Sequence, residues 1–250
     1  MITATQQQEI LNLRALNLTP KQIARKLGIK VSEVNAVIKN QVEQTISDRL
    51  ASGELDPIYQ CLASENLVQL LSIIPADNSI KNLLTNIIPV KKNDINSGLG
   101  LVVIARESRY NKITFCSYLL DIWCLGVKDA MPPRTVDTIK FKEAVAALFD
   151  LFPGKPQEIP LEVAQGMIFS ACEYADSLGF QPHKDFEKSR AHIGEWDGTI
   201  RIECGRNGKP FYVSGPHDNP TKIMETLKKS RGEGNFDFMF GSDPVEDDFW

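Results

Sequence analysis

The chain has 250 residues, a formal net charge of −4, 42% hydrophobic residues and 24% charged residues. This composition is close to the average for soluble globular proteins and excludes a globally disordered chain. The five cysteines are scattered without a Cys-x-x-Cys pair, which excludes a disulfide framework and indicates reduced thiols. With no signal-like N-terminus and no apolar run long enough to cross a bilayer, the sequence predicts a cytoplasmic protein with no membrane partner.

Charge is unevenly distributed along the chain. Residues 1–40 contain six cations and two acids, a balance of +4, whereas residues 236–250 contain five acids and no cation. A chain that is acidic overall is not expected to coat nucleic acid non-specifically. The two ends are therefore expected to bind different partners, or each other.

The first forty residues predict three short helices. In the first, Gln6–Leu16, the apolar residues follow one helical face. Thr19 and Gln22 flank a Pro-Lys pair, which is the pattern of a capping box with proline at the first helical position. The second helix is expected to end at Gly28, because glycine adopts the left-handed conformation without steric cost. The third helix has these inward residues: Val34, Val37 and Ile38.

Seven residues in this region suit two helices that pack closely around a tight turn, which Gly28 makes: Ile23, Ala24, Leu27, Gly28, Ile29, Val34 and Val37. On these residues the chain, from Pro20 to Lys39, resembles the helix-turn-helix DNA-binding families of bacterial regulators. The resemblance implies that the third helix lies in the major groove of double-stranded DNA. The alternative is a small helical bundle that binds protein instead of DNA.

The resemblance implies a DNA-binding surface on the outward residues of the second and third helices: Lys21, Arg25, Lys30, Ser32, Glu33, Asn35, Ala36 and Lys39. Asn35 suits an adenine edge and Glu33 suits the amino group of cytosine, whereas Lys21, Arg25 and Lys39 suit phosphates. Because the cations are so few, one module is expected to bind DNA weakly and with strong dependence on salt. Useful affinity would then need a second module, and we predict that the chain forms a homo-oligomer. Val42, Ile46 and Leu50 follow one another at four-residue spacing and form an apolar stripe. This stripe would either pair two chains or pack on the body.

The fold class predicted is α+β: an N-terminal helix-turn-helix module followed by an α+β domain whose antiparallel hairpins are packed by helices. We divide the chain into a helix-turn-helix module (1–40), a helical connector (41–97), an α+β domain (98–232) and an acidic aromatic tail (233–250). Two hairpins give four strands, at 99–107 with 113–127 and at 199–203 with 210–214, the second around an Asn-Gly turn. Helices are predicted at 57–75, 78–88, 136–152, 160–179, 184–192 and 219–230.

Common catalytic motifs are missing from the sequence: there is no phosphate-binding loop, no nucleophile elbow and no His-Glu-x-x-His helix. The three histidines lie in the last third of the chain at spacings that match no known ligand pattern, and surface or capping roles are expected for His183, His192 and His217. We predict no catalytic residue, no metal and no cofactor.

A carboxylate cluster is the alternative that would make the protein an enzyme. Glu107 and Asp121 are expected to face each other across the first hairpin, and Glu173 or Asp176 would complete a site for magnesium-dependent phosphodiester cleavage. The competing interpretation pairs Asp121 with a nearby cation. Cys124 lacks a partner histidine, so a buried thiol is expected there.

Residues 246–250 resemble the acidic tip of bacterial single-stranded-DNA-binding proteins, in which consecutive aspartates precede a terminal aromatic residue. The Ile-Pro of that family is missing here. The resemblance implies that a protein partner binds Asp247, Asp248, Phe249 and Trp250. The alternatives are a solubilising tail and a tail that covers the basic N-terminal helices of its own chain.

The sequence as a whole predicts a sequence-selective DNA-binding protein, a transcriptional regulator that acts as an oligomer. Two alternatives stay open. One is a metal-dependent nucleic-acid-processing enzyme targeted by the helix-turn-helix, and the other is an adaptor that recruits partners through its tail.

Overall fold

The computed structural model describes residues 3–16, 18–51, 55–71, 73–75 and 97–240. In chain order its elements are α1 (Ala4–Ala15), α2 (Pro20–Leu27), α3 (Val31–Ala51), β1 (Ile58–Ala63), α4 (Glu65–Leu70), β2 (Ile73–Pro75), β3 (Leu99–Ser108), β4 (Lys112–Asp121), β5 (Gly126–Asp137), α5 (Thr138–Phe149), β6 (Gln157–Glu158), α6 (Leu161–Ser177), α7 (Phe186–Ile193), β7 (Ile200–Ile202), β8 (Phe211–Val213), α8 (Pro220–Arg231) and β9 (Asp237–Met239). Helices and antiparallel strands are mixed, which confirms the α+β class. In the described ranges, no helix combines the length and the apolar character needed to span a membrane.

A five-stranded antiparallel sheet in the order β5-β4-β3-β1-β6 forms the centre of the body. In β3, Val102 and Ile104 face one side and pack with residues of α6, whereas Val103 and Ala105 face the other side and pack with residues of α5. Because helices cover both faces, this strand is apolar at consecutive positions instead of alternating. The apolar run at 99–105 is therefore a strand at the centre of the core.

The helix α6 packs closely on the rest of the body because its contact face carries small residues. A Cβ atom at Gly166 would lie 2.8 Å from the carbonyl oxygen of Ile200, closer than real Cβ atoms approach. Ala164 and Ala171 on the same helix are fully buried. These small residues let the helix backbone approach β7 and the sheet.

The three N-terminal helices share a separate apolar cluster, formed by Ile10, Leu13, Ile23, Ala24, Val34 and Ile38. The backbone N–H of Gln22 donates to the Thr19 hydroxyl, and the Gln22 side chain accepts the Thr19 N–H, so the predicted capping box is present. Gly28 ends α2 in the left-handed conformation, with φ of +66°. These local signals were all predicted from the sequence.

The helical assignment of the connector is corrected by β1 and β2. Residues 58–63 form a strand between β3 and β6, and only 65–70 are helical in the stretch predicted as helix at 57–75. The apolar spacing of Ile58, Cys61 and Leu62 fits a helix, but long-range pairing with β3 overrides it. The third helix also continues to Ala51 instead of ending near residue 40. The helix predicted at 78–88 and the side chains of Val42, Ile46 and Leu50 lie outside the described residues.

The second predicted hairpin is wrong although its turn is right. Asn207 and Gly208 have φ of +53° and +79°, as the turn requires, but a single bridge between Arg206 and Lys209 joins the two arms. Beyond it β7 pairs with β2 and β8 pairs in parallel with β9. The strand β9, at residues 237–239, lies within the segment that was assigned to the tail at 233–250. The sheet has five strands because β1, β5 and β6 join the predicted first hairpin.

Candidate nucleic-acid interface

All eight residues predicted to bind DNA lie on α2, on α3 or in the turn between them. Lys21, Arg25 and Lys30 are exposed, and no acidic side chain of the described residues pairs with them. Ser32, Ala36 and Lys39 are also exposed, whereas Glu33 and Asn35 are half-buried. The packing of α1, α2 and α3 therefore leaves these cations and small polar residues facing solvent.

Glu33 has a structural contact that the sequence reasoning missed. Its Oε2 atom accepts the backbone N–H of Lys30 at 3.1 Å, at the residue that precedes α3. This is one half of a capping box, in which an acid at the third helical position satisfies an N–H at the start of the helix. A contact between Glu33 and cytosine would have to compete with this bond. Asn35 is the better candidate for reading a base edge.

The two carboxylates proposed for metal chemistry are far apart, contrary to the expectation. Glu107 pairs with Ile113 at one end of the β3–β4 ladder, and Asp121 pairs with Leu99 at the other end. Ile113 and Asp121 are eight positions apart on β4, which at about 3.4 Å per residue separates the two ends by about 27 Å. Residues at opposite ends of a regular ladder cannot face each other, so this pair does not form a metal site.

Asp121 has a structural role at the β4–β5 turn. Its buried carboxylate accepts the backbone N–H groups of Trp123, Cys124 and Leu125 at 3.0, 3.2 and 3.2 Å. Burial raises the pKa of the Asp121 carboxyl, and the N–H groups of Leu125 and Trp123 act in the opposite direction. The carboxylate oxygens are thus occupied by the turn that they hold. Burial also raises the pKa of the Cys124 thiol, which leaves it a poor nucleophile.

The histidines have separate surroundings. The Nε2 atom of His192 lies 3.1 Å from the carbonyl oxygen of Ile104, and burial lowers the pKa of His192 to about 4. His183 lies 3.3 Å from an oxygen of Asp129, and His217 is exposed. Across the part of the chain that the structure describes, no group of three or more histidine, cysteine or acidic residues could hold a metal ion.

A second cationic site, around Arg206, was missed by the sequence reasoning. The Arg206 guanidinium lies over the rings of Phe211 and Trp123, beside a cavity that Lys209 also lines. In the sequence, residues 206–209 carry only the signal of a tight turn. Trp123 belongs to a distant segment, so no local pattern indicates that it lies under Arg206.

Comparisons with family models, with curated proteins and with solved structures gave no match for this chain. Function is therefore inferred from the chain's own residues. The described surface that best matches a nucleic acid is the exposed side of α2 and α3, where no acidic side chain of the described residues pairs with Lys21, Arg25 or Lys30.

Proposed function

We propose that this protein binds double-stranded DNA through a helix-turn-helix formed by α2 and α3, and that it acts as an oligomeric transcriptional regulator. The observation that carries the proposal is the packing of the N-terminal helices. Ile23, Ala24 and Val34 are buried between them, Gly28 makes the left-handed turn, and the cations are left on the exposed side. This is the arrangement in which a second helix can enter the major groove.

The cations supply affinity without sequence information. Lys21 lies in the first turn of α2 and Lys30 immediately before α3, so both are near helix N-termini, where backbone N–H groups also attract phosphates. With Arg25 and Lys39 this gives four cations for phosphates. At about 0.9 per phosphate, one module should show a slope of log K against log salt of about −3.6. Such a module binds weakly alone, and two modules in an oligomer would double the slope.

Sequence selectivity is assigned to the first turns of α3. Ser32 and Ala36 are exposed there, and Asn35 is half-buried between them along the helix. An asparagine amide can donate to N7 and accept from N6 of adenine in the major groove, a pairing worth about 1–3 kcal/mol of discrimination. Ala36 offers a methyl group to thymine. We therefore expect Asn35 to determine one adenine position of the preferred site.

The test begins with selection of bound duplexes from a random-sequence pool by the full-length protein. The affinity of a labelled selected duplex is then measured by fluorescence anisotropy from 50 to 200 mM salt. Replacing Lys21→Ala and Arg25→Ala together should reduce the salt slope by about 2, because each substitution removes the cation that neutralises one phosphate. Lys142→Ala, which removes an exposed cation from α5, is the matched control and should leave the slope unchanged.

Asn35→Ala should leave the salt slope unchanged but relax the preference at one base pair of the selected site. Two results would overturn the proposal. One is a selection that enriches no duplex sequence. The other is a salt slope in the Lys21→Ala, Arg25→Ala variant equal to that of the Lys142→Ala control.

A further inference from the structure

The turn at residues 206–209 is fixed on the turn between β4 and β5. The backbone N–H of Gly205 donates to the carbonyl oxygen of Ile122 at 2.8 Å, and that of Phe211 donates to the carbonyl oxygen of Trp123 at 3.1 Å. These two bonds replace the ladder that a hairpin would form between its own arms. They bring Arg206 and Phe211 onto the ring of Trp123.

The guanidinium of Arg206 lies over two aromatic rings. Its guanidinium carbon lies 4.6 Å from the ring centroid of Phe211 and 5.2 Å from that of Trp123. The two rings contact each other edge to face, with centroids 5.6 Å apart. A guanidinium can lie over an aromatic ring and still donate the N–H groups in its own plane to a ligand. Among the described residues no carboxylate pairs with it.

A cavity of about 370 Å³ lies beside this guanidinium, lined by Arg206, Asn207, Lys209, Phe211 and Asp237. Its donors are a guanidinium, an ammonium and a side-chain amide. An arginine fork matches a carboxylate through two parallel hydrogen bonds. The single acid in the lining, Asp237, disfavours a doubly charged anion more than a single carboxylate. The cavity chemistry is therefore that of a carboxylate-bearing ligand.

Exposed apolar residues lie on β9, the strand that carries Asp237. Phe238, Met239 and Phe240 are 48%, 54% and 52% exposed, and the rings of Phe238 and Phe240 lie 5.1 Å apart. Asp237, the residue before them, pairs with Phe211 in the β8–β9 register and lines the cavity. A ligand that carries both carboxylates and aromatic rings would match the cavity and these exposed residues.

Residues 241–250 are such a ligand and are attached close to the site. They contain Asp243, Glu246, Asp247, Asp248, Phe249 and Trp250, and no cation. The segment starts four residues after Asp237, and ten residues span at most about 35 Å, so it can return to the cavity. A short tether also gives an effective concentration of about 1 mM.

We propose that the acidic aromatic segment 241–250 binds its own chain at this surface, with carboxylates on Arg206 and Lys209 and aromatic rings on the exposed residues of β9. The inference does not depend on DNA binding by the N-terminal helices. It also differs from a tail that covers those helices, because the receptor is the cavity beside the β4–β5 turn.

The experiment measures binding of a fluorescein-labelled peptide of sequence 241–250 to full-length proteins by anisotropy. In the first variant three of the four tail acids are neutralised by Glu246→Gln, Asp247→Asn and Asp248→Asn, so that the receptor is open. This variant should bind the peptide. The wild type should bind it more weakly, by about tenfold if the peptide Kd is about 100 μM, because the tethered segment competes at about 1 mM.

Receptor variants are made in the tail-neutralised background. Arg206→Ala should reduce peptide binding at least tenfold, and Lys209→Ala, at an exposed position that cannot disturb the core, should reduce it several-fold. Lys142→Ala on α5 is the control and should not change it. Circular dichroism melting of each variant separates disruption of the site from disruption of the fold.

Four results of the peptide-binding experiment would overturn the proposal. They are equal peptide affinity of the wild type and the tail-neutralised variant, equal affinity of a scrambled peptide, unchanged affinity after Lys209→Ala, and displacement of the peptide by equimolar inorganic phosphate. The last result would assign the cavity to free anions. Concentration-dependent mass in light scattering of the wild type, abolished by tail neutralisation, would assign the tail to a second copy and overturn binding within one chain.

Discussion

Tyr110, at the tip of the β3–β4 hairpin, has a backbone conformation that disfavours its side chain. Its φ and ψ are +61° and +41°, and the next residue, Asn111, has φ of +54°. Two consecutive left-handed residues are typical of the two-residue turns that glycine and asparagine favour. A tyrosine in this conformation costs about 1–2 kcal/mol. Its side chain is 92% exposed, so no burial compensates for the cost.

Replacing Tyr110→Gly should therefore stabilise the protein. The relief of about 1–2 kcal/mol is partly offset by about 0.5–1 kcal/mol, because glycine makes the unfolded chain more flexible. We expect a net gain of about 0.5–1 kcal/mol in the free energy of unfolding. For a chain of this size that corresponds to an increase of about 1–2 °C in Tm. Tyr110→Asn should give a similar gain, because asparagine tolerates the left-handed conformation.

The assay is urea unfolding followed by circular dichroism, with the midpoint compared at constant slope. Tyr110→Phe is the matched control, since it keeps the ring and the strain and should leave the midpoint unchanged. If Tyr110→Gly lowered the midpoint relative to Tyr110→Phe, the exposed ring would be making a stabilising contact and the reasoning from strain would be refuted.

Three further predictions concern the body of the protein. Asp121→Ala leaves the N–H groups of Trp123, Cys124 and Leu125 without their acceptor, so it should lower the free energy of unfolding, measured in urea, by at least about 3 kcal/mol. Asp121→Asn keeps one acceptor oxygen and should lower it less. Equal destabilisation by the two variants would contradict the assigned role. His192, with a folded pKa of about 4 against 6.5 in the unfolded chain, stays neutral where the unfolded histidine takes up a proton. The free energy of unfolding should therefore fall by at most about 3 kcal/mol as pH decreases from about 6.5 to about 4. His192→Gln should reduce this dependence of stability on pH. An unchanged dependence would exclude His192 as its source. Gly126→Ala places a Cβ 2.6 Å from the Cβ of Ala175 at a φ of +70°, whereas Gly28→Ala has a φ of +66° and nothing within 4 Å. Both substitutions introduce the same backbone strain, so the difference in stability between the two variants measures the steric overlap. Gly126→Ala should be less stable than Gly28→Ala by about 1–3 kcal/mol and should melt at a lower temperature. Equal melting temperatures would argue against the overlap.

Local signals explain most of what could be predicted from the sequence. The capping box at Thr19 and Gln22, the stop at Gly28 and the small residues of α6 act within one or two helical turns, so they can be recognised without knowing the fold. The β3–β4 hairpin was also predictable, because its strands are adjacent in the chain and rich in β-branched and aromatic residues.

Long-range pairing explains what was missed. The strand β1 pairs with β3 across a long stretch of chain, and the apolar spacing within 58–63 does not distinguish a strand from a helix. The turn at Asn207-Gly208 was recognised, but its arms bind β2 and β9, which no local pattern shows. The Arg206 site was missed for the same reason, since Trp123 and Arg206 meet only through the tertiary fold.

The outer strands of the five-stranded sheet limit how copies of this protein can associate. One outer strand, β6, has only two residues, and the other, β5, contains Pro132 and Pro133, which have no N–H groups to donate. Such outer strands are poor templates for a strand from another molecule. The sheet is thereby protected from extending into a fibre. An oligomer of this chain is therefore not expected to form by extension of the five-stranded sheet. Its interface would lie elsewhere on the surface, where substitution can tune the strength of association without changing the core.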